Sequence, residues 1–462
     1  MLFTTPRFFL FLIVVLLLFY GAPRAWRKWI LLVASYYFYA SWDVRFVPLL
    51  LGLTCVDYWA GLLITRCQGQ RRKFAYIAGL VANLGCLGFF KYYNFFAAGL
   101  VDLLGLQNSL ALKILLPVGI SFVTFQGISY IIDVYRGDEE AIHSLLDFSL
   151  YIAFFSKLVA GPIVRARGFF RDLLKWRQPD SDDLLRGVLL IVFGVAKKLV
   201  VADQFALVAD RYFNHVAANP GALTAWCGAI AFGLQVYFDF SGYTDIAIGT
   251  AQLFGFHFPA NFRRPYLSLS ITDFWRRWHI TLSNWFRDYV YFSLPGLRSK
   301  WKIFTYIDLT ITMLLCGLWH GASWTFIVWG GYHGLLMSLE HFSGFNQTHK
   351  VSGYAYPLRV AFTFGLVSIG WVFFRSPTLA LSFQVIGQMF SRAPGTLLFE
   401  QWHLYLIALT LVLAILEEKW GWFEKLVRAP AFAYAAAVAL LLLSIELLGV
   451  TGTNVPFVYF QF

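Results

Sequence analysis

Long apolar runs separated by short polar or basic links recur along this chain. Runs of roughly membrane-spanning length read at 6–22, 27–41, 47–65, 74–90, 93–106, 112–133, 145–163, 184–208, 222–240, 303–319, 324–341, 357–374, 403–417 and 431–450. A transmembrane helix needs about 20 apolar residues, so the shortest of these runs are expected to be re-entrant or interfacial helices. The backbone of a lipid-embedded segment must satisfy its own hydrogen bonds, and uninterrupted apolar runs do so as helices. The pattern therefore predicts an all-α polytopic membrane protein. No internal repeat, low-complexity segment or linker interrupts it, so residues 1–462 read as a single integral membrane domain.

Composition sharpens this reading. Of 462 residues, 59% are hydrophobic and 13% charged, about half the charged fraction of a soluble domain. One soluble core could not hide so many apolar runs. The net charge of +12 comes without a basic tail or basic soluble domain, so it points to lysine and arginine in cytoplasmic loops and not to nucleic acid. Basic clusters at Arg24–Lys28, Arg66–Lys73 and Arg165–Arg177 are separated by even numbers of expected spans, which puts them on one face, the cytoplasmic one. The block from Arg263 to Lys302 belongs to the same face, and the acidic loop Arg136–Glu140 to the other. At the N-terminus, Arg24 lies where a signal peptide would be cleaved and another span follows at once, so an uncleaved first helix is expected. The five cysteines show no paired spacing and read as buried thiols, neither metal ligands nor disulfides.

The stretch from Asp239 to Gly334 holds four of the nine histidines: His257, His279, His320 and His333. An ionisable ring at membrane depth is costly and usually functional. FWRRWHITLSNWFRDYVYF, read as one helix at about 100° per residue, gathers Asp273, Arg276, Arg277, Asn284, Arg287 and Asp288 on a polar stripe. His279 falls at the edge of that stripe, and Phe274, Trp278, Leu282 and Trp285 cover much of the remainder. Lying flat at the interface accounts for the arginines and tryptophans. A cationic rim beside aromatic rings also suits an anionic, phosphate-bearing donor held by Arg276, Arg277, Arg287, Trp275 and Asn284.

ITMLLCGLWHGASWTFIVWGGYHG is nearly continuous in its apolar character, with His320 inside it. Gly317 and Gly321, four apart, permit close approach of another helix. On a continuous helix His333 would lie roughly 220° from His320, on a different face, and it reads as structural, as does His257. Lys197 and Lys198 interrupt another apolar run. They snorkel to an interface, or divide the run into two short helices, or face an interior cavity. Pro117, Gly119 and Gly127 mark kinks or close helix approach in a further apolar segment. No nucleophile elbow, P-loop, HExxH or zinc cysteine pair is present. What remains is imidazole chemistry, with a neutral histidine as general base.

These residues resemble the membrane-bound O-acyltransferase family, in particular its bacterial alginate O-acetyltransferase branch. The likeness rests on Leu116–Gly137, Lys157–Arg165, Tyr237–Gly249, Asn261–Tyr266, Phe274–Tyr291, Gly317–Gly334 and the closing VPFVYFQF. The resemblance implies a multi-helix bundle with a central tunnel and re-entrant or interfacial helices. It also implies that His320 is catalytic, with His279 at the second family position. It implies an acetyl group taken from acetyl-CoA, with no tightly bound cofactor and no metal, and delivered toward an extracytoplasmic polysaccharide. The expected setting is the lipid of the bacterial inner membrane, with a periplasmic acetyltransferase partner. Relatives usually read YIPLGGNR where this chain has YFSLPGLRSK (Tyr291–Lys300), which leaves open whether the polymer is alginate, cellulose or peptidoglycan. A transporter or flippase relaying protons through the same histidines and lysines is the rival class; inverted repeats would favour it, and none is seen.

Overall fold

Helix follows helix along the whole chain, with no strand among the described residues. The computed structural model describes residues 1–105, 110–159, 161–348, 351–450 and 455–460, the side chains at 297, 298 and 460 excepted. Ala160 of the Lys157–Arg165 motif and residues 461–462 of the closing motif lie outside that set.

Among the described residues, seven helices are long and apolar enough to cross a membrane: Val44–Arg66, Gly69–Leu104, Ala222–Leu253, Lys302–His320, Ala355–Arg375, Gln401–Trp420 and Ala431–Leu448. The chain is a multi-pass membrane protein. Ala431–Leu448 is the plainest case, because it is apolar on every side and has no buried residue. Such a surface is stable only against lipid.

Several expected spans differ in form. The two spans expected at 74–90 and 93–106 join into one, because Gly69–Leu87 runs through a π-helical turn at Gly88–Tyr92 into Tyr93–Leu104. One helix in place of two removes a crossing between the second and third basic clusters, so charge alone no longer puts those two on one face. The span expected at 112–133 begins only at Ile120, after Gly119 at φ +75°. The one expected at 145–163 stops at Ala153, and residues 154–159 and 161–165 are not helical. The helix through 184–208 is interrupted by a π-helical segment, Lys197–Ala202. A π insertion of this kind inside a helix frequently marks a functional site.

The fold divides into two compact units, Met1–Ile191 with Ile246–Pro259, and Val192–Asp245 with Ala260–Phe462. In the first, Val47–Arg66, Gly69–Leu87 and Ile120–Arg136 pack closely. Gly127 makes this possible, as expected of it: a methyl group there would meet the carboxylate of Asp57. Asp57 in turn accepts a hydrogen bond from the Asn83 amide at 2.6 Å, so a buried polar pair spans this contact. His257 also belongs to this unit, 3.1 Å from Asp183, which pairs with Arg177 at 3.0 Å.

The second unit contains every candidate site residue. Its centre is a hairpin of Lys302–His320 and Trp324–Ser343. The two backbones touch where Gly317 meets Gly330, and a methyl group on Gly334 would lie 2.9 Å from the Thr310 Cα. Glycines four apart, Gly330 and Gly334, present a side-chain-free strip, the usual means by which helices approach in lipid.

Candidate active site

His320 is the last residue of its helix, because Gly321 leaves helical geometry for extended backbone at φ −165°. The chain then reverses. Ser323 caps the next helix by accepting a hydrogen bond from the Thr325 amide. The reversal separates the two spans expected at 303–319 and 324–341 and removes the continuous-helix geometry on which the separation of roughly 220° rested. It brings His320 and His333 onto the same indole, with ring centroids 5.0 and 5.1 Å from Trp329. His320 is otherwise enclosed by Trp319 at 4.9 Å, Phe374 at 5.2 Å and Tyr459 at 5.7 Å.

His279 is also not where a regular helix would put it. The expected helix is two, Ile271–Arg277 and Ile280–Tyr289, broken at His279 with φ +40° and ψ +55°. A non-glycine residue in the left-handed region is strained, and such residues cluster at functional sites. The break dissolves the single polar stripe. His279 is fully buried and not at a stripe's edge.

Hydrogen bonds hold this turn. The Asn261 carbonyl accepts from the Ile280 amide at 2.8 Å, and the Arg263 amide donates to the Arg277 carbonyl at 2.9 Å. The Thr281 amide reaches Asn261 Oδ1 at 3.2 Å and its hydroxyl reaches the same atom at 2.9 Å. A backbone N–H only donates, so that atom is the amide oxygen. It lies 3.1 Å from His279 Nδ1, so Nδ1 carries the proton and Nε2 the lone pair. Burial pushes the imidazolium of His279 down to about 3, so the ring is neutral at physiological pH. Nε2 has no hydrogen-bond partner among the described residues.

The helix before the turn is fixed by Glu340 of the hairpin. Its carboxylate accepts from the Ile271 and Thr272 amides at 2.5 and 2.9 Å, an anion on a helix N-terminus. That places Trp275, whose indole N–H donates to His333 Nδ1 over a long 3.4 Å. The indole cannot accept, so His333 holds its proton on Nε2, the opposite tautomer from His279.

The sequence-predicted residues thus separate into two groups. His279, His320 and Trp275 come together: Trp319 lies between the two histidines, 6.0 Å from His279 and 4.9 Å from His320, and Trp275 stacks edge-on to Trp329 at 5.6 Å. Arg276 and Arg287 are exposed, the latter paired with Asp288 at 2.7 Å. Arg277 is tied to Asp273 at 3.0 Å and Glu418 at 2.9 Å. Asn284 is half-buried. Lys197 and Lys198 face inward, toward acids. Lys197 pairs with Asp245 at 2.5 Å, and Lys198 with Asp203 at 2.7 Å and Asp239 at 3.0 Å. Asn261, Glu340 and Tyr459 were not singled out by sequence reasoning. Glu340 carried the clearest signal, a lone carboxylate at the end of an apolar run. Asn261 and Tyr459 sat inside motifs that carried the family likeness without a role attached.

Comparison with known proteins now has a geometry to attach to. The model of the membrane-bound O-acyltransferase family matches residues 139–375. The chain is 46% identical to the protein named Probable alginate O-acetylase AlgI from Pseudomonas aeruginosa, over 83% of this chain and 73% of that one. This chain belongs to the membrane-bound O-acyltransferase family. It is also 35% identical to the peptidoglycan O-acetyltransferase of Helicobacter pylori, over 84% of this chain and 80% of the relative. A more distant likeness, 32% over 56% of this chain and 68% of the other, links it to the teichoic acid D-alanyltransferase of Bacillus subtilis. The family match covers Asn261, His279, His320, His333 and Glu340. The protein is an acyltransferase similar to the alginate O-acetylases.

Proposed function

We propose that this enzyme moves an acetyl group from a cytoplasmic thioester donor, acetyl-CoA, to a hydroxyl of an extracytoplasmic polysaccharide. His320 is the base. The observation that carries the reading is the enclosure itself. His320 and His279 flank one indole, Trp319, inside a shell of aromatic rings. Around them Trp278 Nε1, Trp329 Nε1, His279 Nε2, His333 Nε2 and the Tyr459 hydroxyl are buried without hydrogen-bond partners among the described residues. Buried polar atoms are normally paired. Five exceptions in one aromatic cluster suit a path that takes a polar substrate, the tunnel that the family likeness implies.

In this mechanism His320 accepts the proton of the attacking hydroxyl, or carries the acetyl group transiently. His279 offers its Nε2 lone pair to orient or relay. Exposed Arg276 and Arg287 suit the donor's phosphates, with Trp275 and Asn284 nearby in sequence. Arg277 reaches them only by giving up Asp273 and Glu418. The relatives act on alginate, peptidoglycan and teichoic acid by their names, and a polymer hydroxyl is the acceptor common to that set. The proposed setting is the bacterial inner membrane, within a single catalytic domain, and a periplasmic acetyltransferase is the natural partner for passing the group onward.

The test is His320→Ala in the full chain, assayed for polymer acetylation and for donor thioester cleavage. Loss of a general base costs about 10²–10⁴-fold, with the protein still inserted and accumulating. Acetylation at the wild-type rate would make His320 structural. Proton-coupled substrate movement without thioester consumption would instead favour a transporter.

A further inference from the structure

In the first unit a charged cavity opens beside an apolar one. Cys67 and Gln68 link the spanning helices Val44–Arg66 and Gly69–Leu104, so they lie at a membrane surface. A cavity of about 580 Å³ reaches this link, lined by Cys67, Arg72, Glu139, Glu140 and His143 among others. That is the size of a small-molecule site. A second cavity, of about 400 Å³, shares Cys67 and is lined by Leu63, Phe74 and Ala75 of the same two helices. Phe74 is 73% exposed and Leu63 45%, as suits a wall that faces lipid tails.

The charges of the polar cavity are held in place. The Arg72 guanidinium donates to the Tyr135 carbonyl at 2.6 Å and lies 4.8 Å over the Tyr135 ring, which stacks on Tyr76 at 4.1 Å. This contact sets the basic link and the acidic loop at one end of the helices, where loop charges predicted opposite faces. The loop that carries Glu139 and Glu140 is tied to two helices. The Tyr58 hydroxyl donates to the His143 carbonyl at 2.7 Å, and the Ile142 amide donates to the Tyr130 hydroxyl at 3.0 Å. Neither carboxylate is in an ion pair among the described residues. Burial raises the Glu139 carboxyl above its usual range, and Asp133 and Glu140 add to that against the opposing Arg167. One wall thus offers a guanidinium, and the other two carboxylates short of a cation.

We propose that the joined cavities hold one phosphatidylethanolamine molecule, with its ammonium on Glu139 and Glu140, its phosphate on Arg72, and an acyl chain along Leu63, Phe74 and Ala75. The order of charges selects this lipid. A zwitterionic headgroup brings one anion and one cation, the reverse of what the two walls present. Phosphatidylglycerol brings only the anion and leaves the carboxylates unmatched. Phosphatidylcholine has both charges, but its quaternary nitrogen has no N–H, so it cannot make the charge-assisted hydrogen bonds that carboxylates accept. The bound lipid bridges the Cys67–Gln68 link and the loop after Ile120–Arg136, and it stabilises the first unit as any ligand of the folded state does.

Native mass spectrometry tests this on the full-length protein, extracted from vesicles of phosphatidylethanolamine, phosphatidylcholine and phosphatidylglycerol in equal parts and washed in detergent. One phosphatidylethanolamine per chain should survive the wash, favoured over each of the other lipids by about tenfold, the worth of one hydrogen bond to a charged group. Glu139→Gln with Glu140→Gln should abolish the preference while protein amount holds. Should the double variant fail to accumulate, Glu140→Gln alone, at an exposed position, should weaken it. Thermal unfolding in nanodiscs should agree, with phosphatidylethanolamine raising the unfolding temperature over phosphatidylcholine in the wild type and not in the variant. Equal retention of the three lipids, a preference for phosphatidylglycerol, or a preference that the variants leave unchanged overturns the inference.

Discussion

In the hairpin that ends at His320, backbone lies against backbone across Gly317, Gly330 and Gly334. The stretch from Asn261 to Tyr289 is built otherwise. Two short helices are broken at a left-handed residue, and amides, a carboxylate and the Asn261 side chain hold the pieces. Both regions deliver a buried histidine to the same aromatic enclosure. The first does so by packing backbone against backbone. The second does so by hydrogen bonding, which sets the ring's tautomer as well as its place. His279 donates through Nδ1 and presents a lone pair, whereas His333, on the packed hairpin, accepts at Nδ1 and presents an N–H. Where a ring nitrogen has a chemical task, the polar framework is the one that can assign it.

The sharpest way to break the comparison is at the glycine contact. Gly330→Leu would drive a side chain into the Met313 carbonyl, which rigid helix backbone cannot yield. Overpacking of this kind costs about 1–3 kcal/mol or more. We expect loss of both accumulated protein and activity, read by membrane-fraction immunoblot and acetylation assay. Full accumulation would show that the hairpin does not depend on that approach.

Asn261→Leu attacks the other framework. It leaves His279 Nδ1 and the Thr281 amide without their acceptor, at about 1–3 kcal/mol for each buried donor. Activity should fall more than protein amount, and Asn261→Asp, which keeps an acceptor oxygen, should recover part of it. Equal loss in both variants would remove the tautomer argument.

The same ring predicts a pH effect. His279 takes up a proton only near pH 3 in the folded protein, but near 6.5 when unfolded. Between these values the unfolded chain binds more protons, so stability falls as pH drops below about 6.5 and is unaffected by this group above it. Thermal unfolding of detergent-solubilised protein from pH 7 to pH 4 should show that fall, and His279→Gln should make it shallower. Identical slopes would mean that other groups dominate.

The smallest effect is expected at Trp275→Phe. It keeps the ring packing and removes one long hydrogen bond to His333, worth about 0.5–1.5 kcal/mol. A modest drop in unfolding temperature with near-normal kcat is the expected result. A large kcat loss would promote His333 from framework to chemistry.

The sequence by itself determined the class and the long apolar helices, and it offered the candidate histidines. Apolar runs with little charge leave no soluble alternative, and motif residues in the right order singled out His279 and His320 as candidates before any geometry was known. Periodicity failed where the chain departs from regular backbone. Nothing in FWRRWHITLSNWFRDYVYF announces a left-handed residue at His279, because that conformation is unfavourable locally and is held by Asn261 and Arg263, many residues upstream. Likewise the reversal at Gly321, which sets His320 and His333 on one indole, could not be told from a continuous helix by an apolar run that fits either. Tertiary structure alone decided the charged partners. Lys198 finds Asp203 and Asp239, Arg277 finds Glu418, and Glu340 finds a helix N-terminus, because a charge buried away from water must be matched by whatever the fold brings within a few ångströms.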